Sequence, residues 1–104
     1  LIKREKRRYL SLKIECKQSL DEQALLMAIQ ASVCKLFGEY GLSQAKIKLI
    51  KYFSEKQELI IRCSHLMLDR VKAAITLIID VNGEDATIHI SGVSGTLKAL
   101  SKKT

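Results

Sequence analysis

Three patterns in the sequence predict an α+β fold with elements in the order strand–helix–strand–strand–helix–strand. "YLSLKIEC", residues 9–16, alternates apolar and polar positions with the period of a half-buried strand. Two longer stretches repeat apolar residues every three or four positions, as amphipathic helices do. Between them, two short apolar runs flank a polar tetrapeptide, which is a hairpin pattern. The chain has 104 residues, 47% of them apolar. That suffices for one domain, residues 1–104, with one modest core.

In the first strand, Leu10, Leu12, Ile14 and Cys16 share one face and Tyr9, Ser11, Lys13 and Glu15 the other. "SLDE", Ser19 to Glu22, has the spacing of a capping box, in which each side chain satisfies a free amide at a helix start. The helix is expected to run to about Phe37 on the stripe Leu25, Leu26, Ile29, Val33, Leu36 and Phe37. Gly38 or Gly41 can end it in a left-handed conformation. The second strand is read over Ala45–Phe53, with Ile47 and Leu49 inward and Lys46, Lys48, Ile50 and Tyr52 outward. "SEKQ" is the turn. The third strand, Leu59–Cys63, points Leu59, Ile61 and Cys63 inward and Ile60 and Arg62 outward.

Ser64 is placed to cap a second helix from about His65 to Ile79, with Met67, Leu68, Val71, Ile75, Ile78 and Ile79 on its stripe. Its end, "ITLIIDV", is β-branched and also reads as strand; the unbroken helical spacing favours helix. "NGED" is a turn signal. Ala86–Ser91 is the fourth strand, with Thr87, His89 and Ser91 outward, and a short basic helix from about Thr96 closes the chain. The expected architecture is thus a ferredoxin-like, RRM-like sandwich: a four-stranded antiparallel sheet of βαββαβ order, two helices on one face, and a short C-terminal helix.

The formal charge is +7, and a small soluble protein that basic usually meets a polyanion. Lys3, Arg4, Lys6, Arg7 and Arg8 form a basic N-terminal arm (residues 1–8), and Lys98, Lys102 and Lys103 a basic tail (residues 96–104). The outward sheet face is polar and basic with two tyrosines. RNA-recognition domains stack bases on strand aromatics of that face, but the third strand here carries no aromatic, which argues against sequence-specific reading in that style. Ile50, Tyr52 and Ile60 on the same face suggest cover by a partner or by the C-terminal helix. The odd cysteine count, Cys16, Cys34 and Cys63, argues for buried reduced thiols in an intracellular protein and against disulfides or a zinc knuckle. No apolar run reaches the ~20 residues of a membrane span, and no signal-peptide pattern opens the chain.

Catalytic signals are weak. His65 and His89 are isolated, and no metal-binding pair, nucleophile elbow or Walker loop is present. Glu84 and Asp85 are adjacent acids in a turn. "GVSGT", Gly92 to Thr96, admits two readings: backbone amides and hydroxyls that cradle phosphate, or a tight turn that needs glycine geometry.

Four segments, in order, resemble the Pop-five family, which includes the archaeal ribonuclease P protein component 2. "RRYLSLKI" looks like the family's Arg-Tyr-Leu strand opening. "FGEYGLSQAKIKLIKY" resembles the segment after its first helix. "IIRCSHLMLDRVKAAITLI" is similar to its strand that ends in Arg-Cys and enters the second helix. "HISGVSGTLKAL" is similar to its C-terminal Gly-x-x-Gly-Thr and basic helix. The chain has neither the insert nor the acidic tail of eukaryotic members, so the resemblance points to an archaeal type. The related Rpp-fourteen branch shares the fold.

The resemblance implies a noncatalytic, cytoplasmic RNA-binding subunit of ribonuclease P, which removes the 5′ leader of precursor tRNA. The active site then lies in the RNA, which uses Mg²⁺, and no cofactor is bound by this chain. Implied partners are the ribonuclease P RNA, a TIM-barrel-like protein subunit of the Rpp-thirty type, other ribonuclease P proteins and precursor tRNA. Arg4, Lys6, Arg7, Arg8, Lys98, Lys102 and Lys103 would neutralise phosphates; Gly92, Ser94, Gly95 and Thr96 would offer backbone and hydroxyl donors; Tyr9 and Lys13 would contribute from the sheet. Two competing functions are a ferredoxin-like interaction or small-ligand module, with Ile50, Tyr52 and Ile60 as its interface, and a small nuclease using His89.

Overall fold

The computed structural model describes residues 6–18 and 20–96. Its elements are β1 (Arg7–Cys16), α1 (Glu22–Ala45), β2 (Lys48–Phe53), β3 (Glu58–Ser64), a 3₁₀ turn (His65–Met67) leading into α2 (Leu68–Thr76), β4 (Asp80–Val81) and β5 (Glu84–Ser94). The strands form one antiparallel sheet in the order β2-β3-β1-β5-β4. The four expected strands are present as β1, β2, β3 and β5. The sheet has five strands rather than four, because the two-residue β4 joins its edge.

That fifth strand comes from the β-branched tail of the second helix. α2 stops at Thr76, and its end tightens through bonds from Leu77 N–H to Ala74 C=O and from Ile78 N–H to Ile75 C=O (3.3 and 3.2 Å). Asn82 and Gly83 then take φ of 55° and 86°, and two successive positive φ values make the tight hairpin turn that returns the chain into β5. Ile78 is buried, while Ile79, expected on the helix stripe, is exposed.

Ser19, half of the expected capping box, lies outside the described residues; Asp21 is the N-cap residue of α1 and makes no side-chain capping bond. Ser64 likewise holds the N-cap position of the 3₁₀ turn without a side-chain capping bond. α1 breaks at Gly38, where φ is 78° and ψ 176°, a conformation open essentially to glycine alone. The helix then resumes to Ala45. The end at Phe37 was legible; the resumption was not, and it takes Ala45 and Lys46 out of the expected second strand. A Cβ on Gly41 would lie 2.6 Å from Phe37 Cβ, so the resumed segment packs against Phe37 through a bare backbone.

One apolar cluster joins the helices to one sheet face: Leu25, Ile29 and Val33 of α1, Val71, Ala74 and Ile75 of α2, and Leu10, Leu12, Ile14, Leu59, Ile61, Cys63 and Ile88 of the strands. Leu36, expected on the α1 stripe, is exposed. Ser32 Oγ donates to the Ala74 carbonyl at 2.7 Å and pins α1 to α2.

Two strands carry one extra residue each. In β2, Leu49 pairs with Ile61 and Lys51 with Ile60, so Ile50 is bulged. The bulge reverses the alternation after it. Tyr52, expected outward, therefore lies opposite the buried Leu59, and its hydroxyl donates to the Leu20 carbonyl at 2.7 Å. Phe53 takes the outward position. In β5, Ile90 pairs with Leu12 and Gly92 with Ser11, so Ser91 is the extra residue. β5 runs on through Ser94, and Gly92 is a paired strand residue, which corrects the expected strand end at Ser91 and the tight turn after it.

Candidate nucleic-acid interface

On the sheet face away from the helices, the registers align outward side chains into rows across the strands. The first row is Lys48 (β2), Arg62 (β3), Tyr9 (β1) and Ser94 (β5). The second is Lys51, Ile60, Ser11 and Gly92. The third is Phe53, Glu58, Lys13 and His89. With strands about 4.8 Å apart, each row spans about 14 Å. Arg7, opposite Ser64, stands beyond the first row, and Glu15, opposite Thr87, beyond the third.

The face is graded in charge. Its carboxylates sit at one end: Glu58 beside Lys13, and Glu15 with its Oε2 3.4 Å from His89 Nε2. Both members of the latter pair are exposed, so the contact contributes little to stability. The other end holds Arg7, Lys48 and Arg62, with no acid beside them among the described residues. Between them the floor is nearly neutral: Ile60 is 9% and Ser11 3% exposed, although Ile60 lies across the sheet from the main core cluster. Ser91 Oγ lies 3.0 Å from both the carbonyl and the hydroxyl oxygens of Ser11. Lys51 Nζ sits 5.0 Å over the Phe53 ring, a cation–π contact at the β2 edge.

The basic arm is fixed where it enters the sheet. The Lys6 carbonyl accepts from the His65 backbone N–H at 3.0 Å and stands 3.0 Å from His65 Nδ1. His65 is thus an anchor for the arm. Strand alternation then separates the two arginines. Arg7 shares the open face with Tyr9, whereas Arg8 lies opposite the buried Cys63. Arg8 Nη1 donates to the Arg7 carbonyl at 3.2 Å and would lie 3.4 Å from a Cβ added at Gly95.

The structure therefore divides the expected RNA-contact set. Arg7, Tyr9 and Ser94 come together at the basic end, and Thr96 N–H donates to Ser94 Oγ at 3.3 Å. Arg8 and Gly95 form a second group at the sheet's end. Gly92 lies on the neutral floor, Lys6 on the anchored arm, and Lys13 two rows away beside Glu58. Arg4, Lys98, Lys102 and Lys103, and the expected final helix beyond Thr96, lie outside the described residues. The expected interface set does not assemble: Ile60 is nearly buried, Ile50 is at the bulge and Tyr52 faces the helices.

Lys48 and Arg62 were placed on the outward face by alternation, but the cross-strand register is what aligns them with Tyr9. Lys51 and Phe53 were missed because the bulge moved them. The buried Nε of Arg62 has no hydrogen-bond partner among the described residues.

Other chemistry is sparse. All three cysteines are free. Cys63 alone is fully buried, and burial pushes its thiol up to about 11; Cys16 and Cys34 are half-buried rather than buried. Among the described residues no cluster of His, Cys, Asp or Glu is placed to hold a metal, and no helix is long and apolar enough to cross a membrane. A concave region of about 480 Å³ at the far end of β1 is lined by Glu15, Lys17, Glu84 and Asp85 among others, a charge mixture poorly suited to a polyanion.

Comparison with known proteins bears on this geometry directly. The family model described as Rpp14/Pop5 matches residues 8–104. The chain is 36% identical over 100 residues to ribonuclease P protein component 2 of Pyrococcus furiosus, covering 96% of this chain and 83% of that one. It is 32% identical to the Archaeoglobus fulgidus protein of the same name, covering 96% and 89%. A chain in the cryo-EM structure of yeast ribonuclease MRP superposes with a TM-score of 0.74 at 16% identity, covering 93% of this chain and 79% of that one; this likeness is one of fold. The matched span takes in every described strand and helix except Arg7, the first residue of β1, and the chain belongs to the Rpp14/Pop5 family.

Proposed function

We propose that this chain is a noncatalytic RNA-binding protein subunit of ribonuclease P, supporting a catalytic RNA in removing the 5′ leader of precursor tRNA. The observation that carries this reading is family membership across nearly the whole chain, with relatives named as ribonuclease P protein component 2. The basic end of the sheet supports it independently: Arg7, Lys48 and Arg62 stand at the same end with no carboxylate beside them among the described residues. In this reading the fold is ferredoxin-like, since β2-β3-β1-β5 follows the order of that arrangement with β4 appended. The protein works in the cytoplasm, holds no cofactor, and leaves Mg²⁺ to the RNA. Its partners are the ribonuclease P RNA, a TIM-barrel-like protein subunit and the remaining protein subunits.

His65 is occupied in anchoring Lys6, and His89 lies opposite Lys13 with its Nε2 3.4 Å from Glu15, so the two histidines are not brought together as an acid–base pair for cutting RNA.

Reconstitution tests the proposal. Catalytic RNA with the other protein subunits is expected to cleave precursor tRNA faster when this chain is added. Arg7→Gln is expected to lower the salt slope of RNA binding by about one phosphate contact. Equal cleavage with and without the chain would refute the proposed function.

A further inference from the structure

We propose that the row Lys48–Arg62–Tyr9–Ser94 is a subsite for one unpaired nucleotide of RNA. The base stacks on Tyr9, and the phosphate is held by Arg62 with support from Lys48 and Ser94. The inference rests on the RNA-binding reading above and makes it specific to single-stranded RNA at a defined place.

Arg62 is the first reason. A guanidinium whose Nε–H is buried without a partner among the described residues has lost water there without compensation, and a phosphate bound to its remaining N–H groups would offset that cost. The two terminal nitrogens of arginine present a planar fork that matches two phosphate oxygens. Lys48, directly opposite on β2, adds a second positive charge without that geometric demand.

The Ser91 bulge is the second reason. Were β5 regular, with Ser91 itself paired to Ser11, Val93 would face outward beside Tyr9, and Gly92 and Ser94 would face the core. With the bulge, Val93 packs against the core opposite Leu10. Ser94 lies directly across from Tyr9, and the small residues Ser11 and Gly92 form the adjacent row. The half-buried Tyr9 ring is therefore bordered by low side chains, which leaves room for a base over it. Ser94 Oγ accepts from Thr96 N–H, so its own O–H remains a donor.

Charge is the third. Glu58 and Lys13 stand four residues along their strands from Arg62 and Tyr9, about 13 Å at ordinary strand rise. That exceeds the Debye length of roughly 8 Å at physiological salt. The row therefore presents its cations to a phosphate with little opposition. A duplex keeps its bases stacked on one another, whereas an unpaired base offers a free face to an aromatic side chain.

Full-length chain is titrated with a fluorescent single-stranded oligouridylate and with an RNA duplex of equal length, over a range of salt. Tyr9→Phe is expected to bind the single strand as the parent does. Tyr9→Leu, which keeps the bulk but not the aromatic face, is expected to bind about 5- to 150-fold more weakly, with duplex binding unchanged. Arg62→Lys, which keeps the charge but not the fork, is expected to weaken single-strand binding at an unchanged salt slope, whereas Arg62→Gln lowers the slope by about 0.7. Thermal melts confirm that each variant is folded. If folded Tyr9→Leu and Arg62→Lys bind the single strand like the parent, the subsite is overturned and the RNA-binding reading stands. If the parent binds neither RNA, both fall. If Arg62→Lys keeps RNA binding but loses association with another protein subunit, the row is a protein surface and the subsite is overturned.

Discussion

Replacing Tyr52 with phenylalanine separates the bulged register of β2 from a regular one. In the structure the Tyr52 hydroxyl donates to the Leu20 carbonyl at 2.7 Å, in a part-buried position between the end of β2 and the approach to α1. Phenylalanine keeps the ring and its packing against the core and removes the donor. The net worth of such a bond is about 1 kcal/mol, within roughly 0.5 either way. In a chain of 104 residues, 1 kcal/mol lowers the melting temperature by roughly 4–8 °C. Circular dichroism melts of the parent and Tyr52→Phe measure this, and RNA titration of the same samples is expected to show no change. A regular β2 would instead hold Tyr52 on the open face with Lys48 and Arg62. The result that refutes the bulged register is therefore specific: an unchanged melting temperature together with weakened RNA binding.

Three further predictions concern the scaffold. Gly38→Ala forces a β-carbon into a backbone with φ of 78° and ψ of 176° and is expected to cost about 1–3 kcal/mol in denaturant unfolding; parental stability would mean that the helix does not break there. The Cys63 thiol, raised by burial from 9.0 to about 11, adds stability that is complete below pH 9 and disappears as pH climbs towards 11. Cys63→Ala should flatten the stability profile over that window by about 2–3 kcal/mol relative to the parent. Mass spectrometry after brief alkylation of native protein should find Cys16 and Cys34 modified and Cys63 protected, with Cys63 reacting only in denaturant.

The regular parts of the fold were legible because local periodicity decides them. Leu10, Leu12 and Ile14 are buried as their alternation requires, and Leu25, Ile29, Val33, Val71 and Ile75 as their helical spacing requires. The Asn82–Gly83 turn followed from residues that tolerate positive φ. The departures are tertiary. Nothing within "KLIKYF" marks Ile50 as the extra residue; that is fixed by which residues of β3 face it. The β-branched run after α2 reads equally as helix or strand, and pairing of Asp80 and Val81 with β5 decides it. The interface followed the same division. Arg7, Tyr9 and Ser94 were named from the sequence, but their alignment with Lys48 and Arg62 depends on registers that a single chain of letters does not carry.

The two bulges also bear on which changes of chain length this protein can survive. Loops absorb single-residue insertions and deletions because their ends can adjust. Ile50 and Ser91 sit inside paired strands, next to the level of Ser11 in the central strand β1. Deleting Ser91 would leave Ile90 opposite Leu12 and Gly92 opposite Ser11 in a regular strand, with Val93 still inward and Ser94 still outward. Deleting Ile50 would likewise join Leu49 to Lys51 and keep Tyr52 inward. Single-residue gaps in natural variants are therefore expected at Ile50 and Ser91 as well as in the 54–57 turn, because a bulge residue can be lost without moving any other side chain to the opposite face.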